Sequence, residues 1–509
     1  MANRDELAVI RSARAGDADA QLALGRLYLE GSASLARNHI TALHWLDRAA
    51  RQNLSQAWIL IGQAIPFETV WQGEAPLQMG GWYLRAFEAG VMPAGLVYVQ
   101  LMLAQPEAIL TPEVHASVMS ILAQVAESGL AQAQWLLAQQ EKSNPDTGST
   151  LPQVWAQRAA DAGVAEAQQA LMEQAWAAQE YPAFLRWALP QAQTLMTQLA
   201  RAEGAASSEQ LILLVRSASA LDSLGEEECE ELLRVSGVVD KQQLWEVAAF
   251  HGAREAQVCL GLMYARMDAE GGRTGVGSAN FKKAVRWLKL AGEQGSADAW
   301  FALSRIYLKS EFSQRNAVEA QAWLERAANL GHALAQWECG SAMWRNRRDG
   351  EGNDIKAVLW LHQAALQGVS QAQALLEKIT PTPKALPWAV QAKALLTREM
   401  ASRHSFLAAR LELAWVFGLT RAEALLIDIH RADHGHCLVL DIREHFGRSK
   451  RRLILLRTGQ ERQLLDRVSR VFLDVDCGPS GPEGNYRQRV YRLKTLLPQL
   501  AQDDLAEAA

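Results

Sequence analysis

The side chains able to do chemistry gather in the last quarter of the chain. Asp428, His430, Asp433, His434, His436 and Cys437 form its one dense group of metal-capable residues. On a strand His434 and His436 would project to the same side, an arrangement that zinc accepts. The competing reading is a polar approach to the apolar run Cys437–Ile442, and no metal is assigned. Basic residues follow at Arg443, Arg448, Lys450, Arg451 and Arg452, and again at Arg487, Arg489, Arg492 and Lys494. Such a cluster suits phosphate groups. It equally suits a solvated surface, or a contact with the acidic remainder of the chain. No Ser/His/Asp, Cys/His or paired-carboxylate pattern stands out, so neither a catalytic residue nor a cofactor is expected. The Gly-rich string GGRTGVGSAN (271–280) follows no strand and lacks the Lys-Ser/Thr pair of a phosphate-binding loop. It reads as a long loop between two helices.

The elements that must position these groups come in two kinds. Residues 381–509 hold 20 Lys and Arg against 15 Asp and Glu, although the whole chain carries −5. The remainder is therefore acidic, and that asymmetry says more than the total. Ala, Leu and Gln dominate, with 17 Trp and few strand-like runs, which indicates mostly helix. The five Cys (229, 259, 339, 437, 477) are scattered without CxxC spacing and read as reduced thiols. No apolar run approaches the roughly 18 residues a membrane span needs. A soluble, cytoplasmic protein with no membrane partner is expected.

One phrase organises residues 1–379. Its clearest copies are AVRWLKLAGEQGSADAW (284–300), AQAWLERAANLGHALAQW (320–337) and AVLWLHQAALQGVSQAQA (357–374). Trp287, Trp323 and Trp360 recur at about 36 residues, the period of a helical-repeat array. A helix carrying Ala and Trp ends at small residues, turns at a Gly, and hands over to a second helix. Small residues mark where helix backbones approach, and Gly marks a left-handed helix stop. The Trp stripe (45, 82, 155, 245, 287, 323, 360) reads as packing between repeats. Copies drift after Gly80, and the phrase is lost over about 181–240.

The first copy makes the relationship specific. Gly16, Asp17, Ala20, Gln21, Leu24, Gly25, Tyr28 and Gly31, followed by Ala42, Trp45, Ala49 and Ala50, resemble the Sel1-like repeat, a relative of the tetratricopeptide repeat. The resemblance implies an α-solenoid of helix pairs, with Gly25 admitting a close partner helix, and a scaffold that binds a partner protein on its concave face. Arg26 and Arg305, at matching places after Gly25 and Ser304, are the groove-lining candidates.

Residues 380–388 (TPTPKALPW) hold three Pro residues and read as a linker. Residues 389–509 read as a small, mostly helical α/β domain: two helices over 390–426, strands CLVLDI and RLILLR, and helices over 458–475 and 486–497. The string LELAWVFGLTRAEALL, the basic turn and the helix QERQLLDRV are similar to the front half of a tyrosine recombinase catalytic domain. That family needs Arg and Lys groups to neutralise a phosphate and a Tyr to attack it. Its first Arg falls on Thr420, with Arg421 one place off, and Glu423 matches. Its Lys falls near His445 or on Lys450. Tyr486 and Tyr491 precede the place of a nucleophile, and the later HxxR stretch has no counterpart. The resemblance thus implies a non-catalytic module and, as the alternative to a pure scaffold, a DNA-associated protein in which this module holds duplex DNA through the nine basic residues named above while the repeats recruit a partner.

Overall fold

A computed structural model describes residues 4–32, 34–73, 76–105, 111–142, 151–201, 205–236, 240–444, 446–447 and 450–501. Among them the chain is helical nearly throughout, with two short strands. It forms two compact units, residues 1–203 with 216–241, and residues 204–215 with 242–509.

Three of the repeats are closed by the same local chemistry. In the first unit, helix Ala18–Glu30 begins at Asp17 and helix His39–Arg51 at Asn38, whose side chain accepts the Thr41 N–H. These caps satisfy donors that a helix start leaves free. The loop joining the helices is pinned by one backbone bond, from Asn38 N–H to the Tyr28 carbonyl, at 2.9 Å. In the second unit Asn280 bonds Tyr264 and Asn316 bonds Tyr307 in the same way. The Gly-rich stretch 271–280 therefore lengthens an ordinary intra-repeat loop, and its Gly271 lies against the side chain of Arg305.

The helix hand-over falls eight residues after the repeat Trp. Gly295, Gly331 and Gly368 have φ of 86°, 97° and 89° there, and Asn53 takes the place in the first repeat at 63°. Where two helices cross, a Cβ on Gly25 would stand 2.6 Å from Leu46. The expected close approach at Gly25 is therefore present, with Leu46 fully buried beneath it.

A role that the sequence reading missed belongs to the Gln of the hand-over phrase. Gln21, Gln134, Gln257 and Gln336 are buried, and each donates back eight residues to a carbonyl at the end of the preceding helix: Ala13, Ala126, Ala249 and Ala328. These carbonyls stand at the helix end, and each also accepts the N–H of the Gly three residues on, Gly16, Gly129, Gly252 or Gly331. Gln294 then donates to Gln257, and Gln367 to Gln336, so the caps of adjacent repeats are linked.

Residues 181–240, where the phrase fades, still form helices Tyr181–Arg201, Ser208–Asp222 and Glu226–Ser236. Trp245 departs from the stripe. It lies seven residues before Gly252 rather than eight, and is buried in its own helix.

Beyond Thr380 the expected pair of helices is four shorter ones, Pro387–Leu395, Arg398–Arg403, Ser405–Phe417 and Arg421–Leu426. Thr397 caps the start of the second and Gly418, at φ 56°, ends the third. Strands β1 (Cys437–Leu440) and β2 (Arg452–Leu455) pair antiparallel, with Cys437 opposite Leu455. Helices Gly459–Val471 and Tyr486–Leu496 follow.

The two-stranded sheet is covered on both sides. Cys437, Val439, Leu453 and Leu455 pack against Val358, Leu361, Ala372 and Leu376 of the last repeats. Leu438, Leu440 and Ile454, on the alternate positions, join Phe417, Leu465 and Phe472 in the core of the C-terminal domain. Period-two side-chain alternation thus sends one ribbon's residues into two cores, which is why both strands read as unbroken apolar runs. Residues 381–386, the non-helical part of the expected linker 380–388, lead straight into helix Pro387–Leu395, and the two sequences they join share their packing.

Candidate functional site

The basic residues singled out in the sequence do not form one surface. Arg451 turns inward to the last repeat, donating from Nε and Nη2 to both carboxylate oxygens of Asp354, at 2.7 and 3.1 Å. It also reaches Asp441, which in turn holds Arg443. Arg452 donates to Glu423 at 2.8 Å, and Glu423 closes a capping box with Thr420. Glu423, the residue matching the recombinase pattern, is therefore spent on local structure.

Arg489 is 3% exposed and bonds the carbonyls of Leu425 and Cys477, 2.6 Å from each. Burial here lowers the guanidinium's proton affinity, with Arg410 adding to the effect. Arg489 is thus an interior residue, which corrects its expected place on a DNA-facing surface. Arg492 donates to the Glu483 carbonyl. Arg487, Lys494 and Lys450 are exposed, and Arg448 and His445 lie outside the described residues. Of the alternatives open to the basic run, the contact with the acidic repeats is the one Arg451 makes.

The metal-capable group also disperses. Asp433 is bound by Arg462 at 2.5 Å, which holds its carboxyl below the usual range. His430 contacts the Phe472 carbonyl and His436 the Ile355 carbonyl, and buried Cys437 packs on the repeats. Among the described residues no three His, Cys, Asp or Glu side chains are grouped to hold a metal ion. Asp428 and His434 do line a polar cleft of 970 Å³ between the C-terminal domain and residues 351–355, together with Arg431, Arg443, Asp476 and Cys477. Two of its arginines are paired, Arg431 with Asp428 and Arg443 with Asp441. Burial raises the Cys477 thiol, so that residue is a poor nucleophile.

The two groove candidates differ. Arg26 is exposed. Arg305 is largely covered: it pairs with Glu338 and stacks 4.4 Å over Phe301, whose ring in turn lies 4.1 Å from His332.

The surface feature that recurs in the repeats is aromatic. Trp58 and Trp300 stand where other copies carry the capping Gln, and each stacks on the repeat Trp that follows it, Trp82 or Trp323. Trp58 meets Trp82 at 5.9 Å and 5°, and Trp300 meets Trp323 at 4.8 Å and 4°. An exposed Arg three residues beyond the second Trp lies over both rings in each case, Arg85 in one and Arg326 in the other. Stacked indoles capped by a guanidinium make a rigid patch with both apolar and cationic character.

The two copies differ in one respect. Trp82 donates its indole N–H to Asp47, at 3.0 Å. Lys289 occupies the position corresponding to Asp47, and the Trp323 indole nitrogen is buried with no hydrogen-bond partner. Lys289, Trp300, Trp323 and Arg326 line an open slot of 570 Å³.

Repeated helix pairs with a pinned loop, a left-handed hand-over and a buried Gln define a helical-repeat solenoid. Four stretches, residues 18–54, 260–296, 297–332 and 333–369, match the Sel1 repeat. Two solved structures are similar. One is c5321, a protective antigen present in uropathogenic Escherichia coli strains and displaying an SLR fold: identity is 19%, coverage 93% of this chain and 95% of that one, and TM-score 0.42. The other is a Sel1 repeat protein from Oxalobacter formigenes, with 23% identity, 65% and 79% coverage, and TM-score 0.23. Neither likeness is close enough to bear on function. No protein of curated function matches the chain. The recombinase-like reading of residues 389–509 rests on sequence alone. No helix among the described residues is long and apolar enough to cross a membrane.

Proposed function

We propose that this protein is a non-catalytic scaffold whose Sel1 repeats hold a partner protein, and whose C-terminal domain caps the end of the array. The observation carrying this reading is the Arg451–Asp354 contact with the shared core beneath it. A basic domain that commits Arg451 and one face of its ribbon to the last repeat is built as part of the array. Solenoid ends need such a cover, because a terminal repeat otherwise exposes the face that its neighbour would bury. The repeats then offer pre-formed surfaces, so little ordering entropy is lost when a partner binds.

The test is site-directed photo-crosslinking in the full chain, with benzoylphenylalanine at position 26 in the repeats and at position 487 in the C-terminal domain. A discrete protein adduct from position 26 supports the scaffold reading. Adducts only at position 487, and with nucleic acid, would overturn it.

A further inference from the structure

Asp47 and Lys289 sit at the same place in the repeat phrase, two residues after Trp45 and Trp287. In the first case the side chain is a carboxylate that accepts the Trp82 N–H and is braced by Arg51 at 3.0 Å. In the second, Lys289 stands in for the carboxylate and Glu293 for the arginine. The Lys289 ammonium lies 5.8 Å from the Trp323 ring centre, and the indole N–H beside it is unpaired. A buried N–H without an acceptor forfeits the hydrogen bond it would make with water. Two cations, Lys289 and Arg326, border the same slot. Repeat geometry, the orphaned donor and the reversed charge all ask for one missing group, an anionic acceptor.

We propose that the slot bounded by Lys289, Trp300, Trp323 and Arg326 receives an Asp or Glu side chain of a partner protein. The incoming carboxylate takes the place that Asp47 fills from within the chain in the other copy. Lys289 is long enough to swing off the ring, opening the indole N–H and pairing with the carboxylate. The stacked Trp rings and Arg326 supply the apolar floor and a second charge. Glu293, the anion bordering the slot, admits one carboxylate and opposes a cluster of them. This inference rests on the scaffold reading and gives it a location and a partner chemistry.

The experiment uses the full chain with its Trp indoles labelled with nitrogen-15, the Trp323 signal being assigned with Trp323→Phe and the Trp82 signal with Trp82→Phe. The probe is a blocked Ala-Glu-Ala tripeptide, with blocked Ala-Gln-Ala as the neutral control. The Glu peptide should move the Trp323 N–H resonance downfield in a saturable way. The Gln peptide should not, and the Trp82 resonance should stay fixed. In Lys289→Asp, which restores the acceptor within the chain, the Trp323 resonance should already lie downfield and ignore both peptides. A Trp323 signal that stays still, or responds equally to both peptides, overturns the proposal. The scaffold reading is judged separately. A discrete position-26 adduct with a Trp323 signal that stays still leaves the scaffold standing and overturns the slot, whereas absence of any adduct from the unmodified chain counts against the scaffold.

Discussion

Arg451 grips Asp354 across 97 positions of sequence, with two nearly parallel N–H···O bonds to a carboxylate that is 10% exposed. Such bidentate pairs fix geometry as well as charge. Removing the guanidinium leaves a nearly buried carboxylate facing only the Ile355 N–H. Arg451→Met should therefore destabilise residues 242–509 by about 1.5–3 kcal/mol, read by denaturant unfolding. Arg451→Met combined with Asp354→Leu should cost less than Arg451→Met alone. If the double variant loses as much as the two singles added, the pair is not coupled.

The same network carries a pH signature. The Arg443 guanidinium first, then Arg451, holds the Asp441 carboxyl down to about 2, below its ordinary value. A carboxyl depressed in the folded state binds fewer protons there than when unfolded. Its contribution is present above the unfolded value, near 4, and fades as pH falls toward 2. Thermal unfolding followed from pH 6 to pH 2 should show this loss, and Asp441→Asn should flatten that part of the profile. An unchanged slope in Asp441→Asn would separate Asp441 from acid unfolding.

The array was legible in the sequence because its signals are local: a period near 36 residues, Gly at the hand-over, and small residues at crossings. What those signals omit is also definite. The capping Gln was visible only as part of a phrase, since its acceptor is the end of the preceding helix. Both strands were found, yet CLVLDI and RLILLR were each read two residues too long; Asp441 leaves β1 to bind Arg443 and Arg451, and Arg457 leaves β2 to bond Glu461 and Thr380. The docking of the C-terminal domain was open only as one alternative for the basic run. Nothing near Arg451 in sequence identifies Asp354 as its partner. The orphaned Trp323 N–H could have been suspected by aligning the copies, since Lys289 breaks the register set by Asp47.

Two helical glycines should respond in opposite directions to Ala. At Gly81 a Cβ meets nothing within 4 Å, so Gly81→Ala keeps only the helical gain of about 0.5–1 kcal/mol. At Gly292 the same atom would lie 2.5 Å from Cε2 of Trp300. Forcing that stacked ring aside costs about 1–3 kcal/mol, which outweighs the helical gain. Gly292→Ala should lower the unfolding midpoint and Gly81→Ala should raise it. A rise in both would mean that the Trp300–Trp323 stack gives way freely.

Arg410 is fully buried and makes a fork to Glu483, with its remaining nitrogen on the carbonyls of Ala424 and Ile427 at 3.0 and 2.9 Å. Arg489 stands 3.8 Å from the same carboxylate. Two interior guanidiniums thus depend on one anion. Arg410→Met leaves Glu483 with Arg489 still beside it and should cost about 3–5 kcal/mol. Glu483→Gln leaves both cations uncompensated and should be the more severe change. Comparing the two by hydrogen exchange in residues 405–430 checks the order. An equal or smaller effect for Glu483→Gln would contradict the shared-anion account.

The basic residues also allow a direct test of the DNA alternative. Residues 381–509 leave one face of their ribbon bare when cut from the repeats, so the full chain is the proper material. A protein that neutralises several phosphates loses affinity steeply with salt, at a slope of about 0.9 per phosphate. Arg451 is engaged with Asp354, Arg452 with Glu423, Arg443 with Asp441, and Arg489 is internal. Arg487, Lys494 and Lys450 are exposed. Titration of the full chain into a labelled duplex at two salt concentrations should therefore show at most a shallow salt slope, of about 1 to 3. Replacing Arg487 and Lys494 with Ala should abolish what binding there is and leave folding intact. A steep slope that disappears with those two substitutions would instead make the C-terminal domain a DNA-binding end to the array, with the Arg451–Asp354 pair serving to hold it in place.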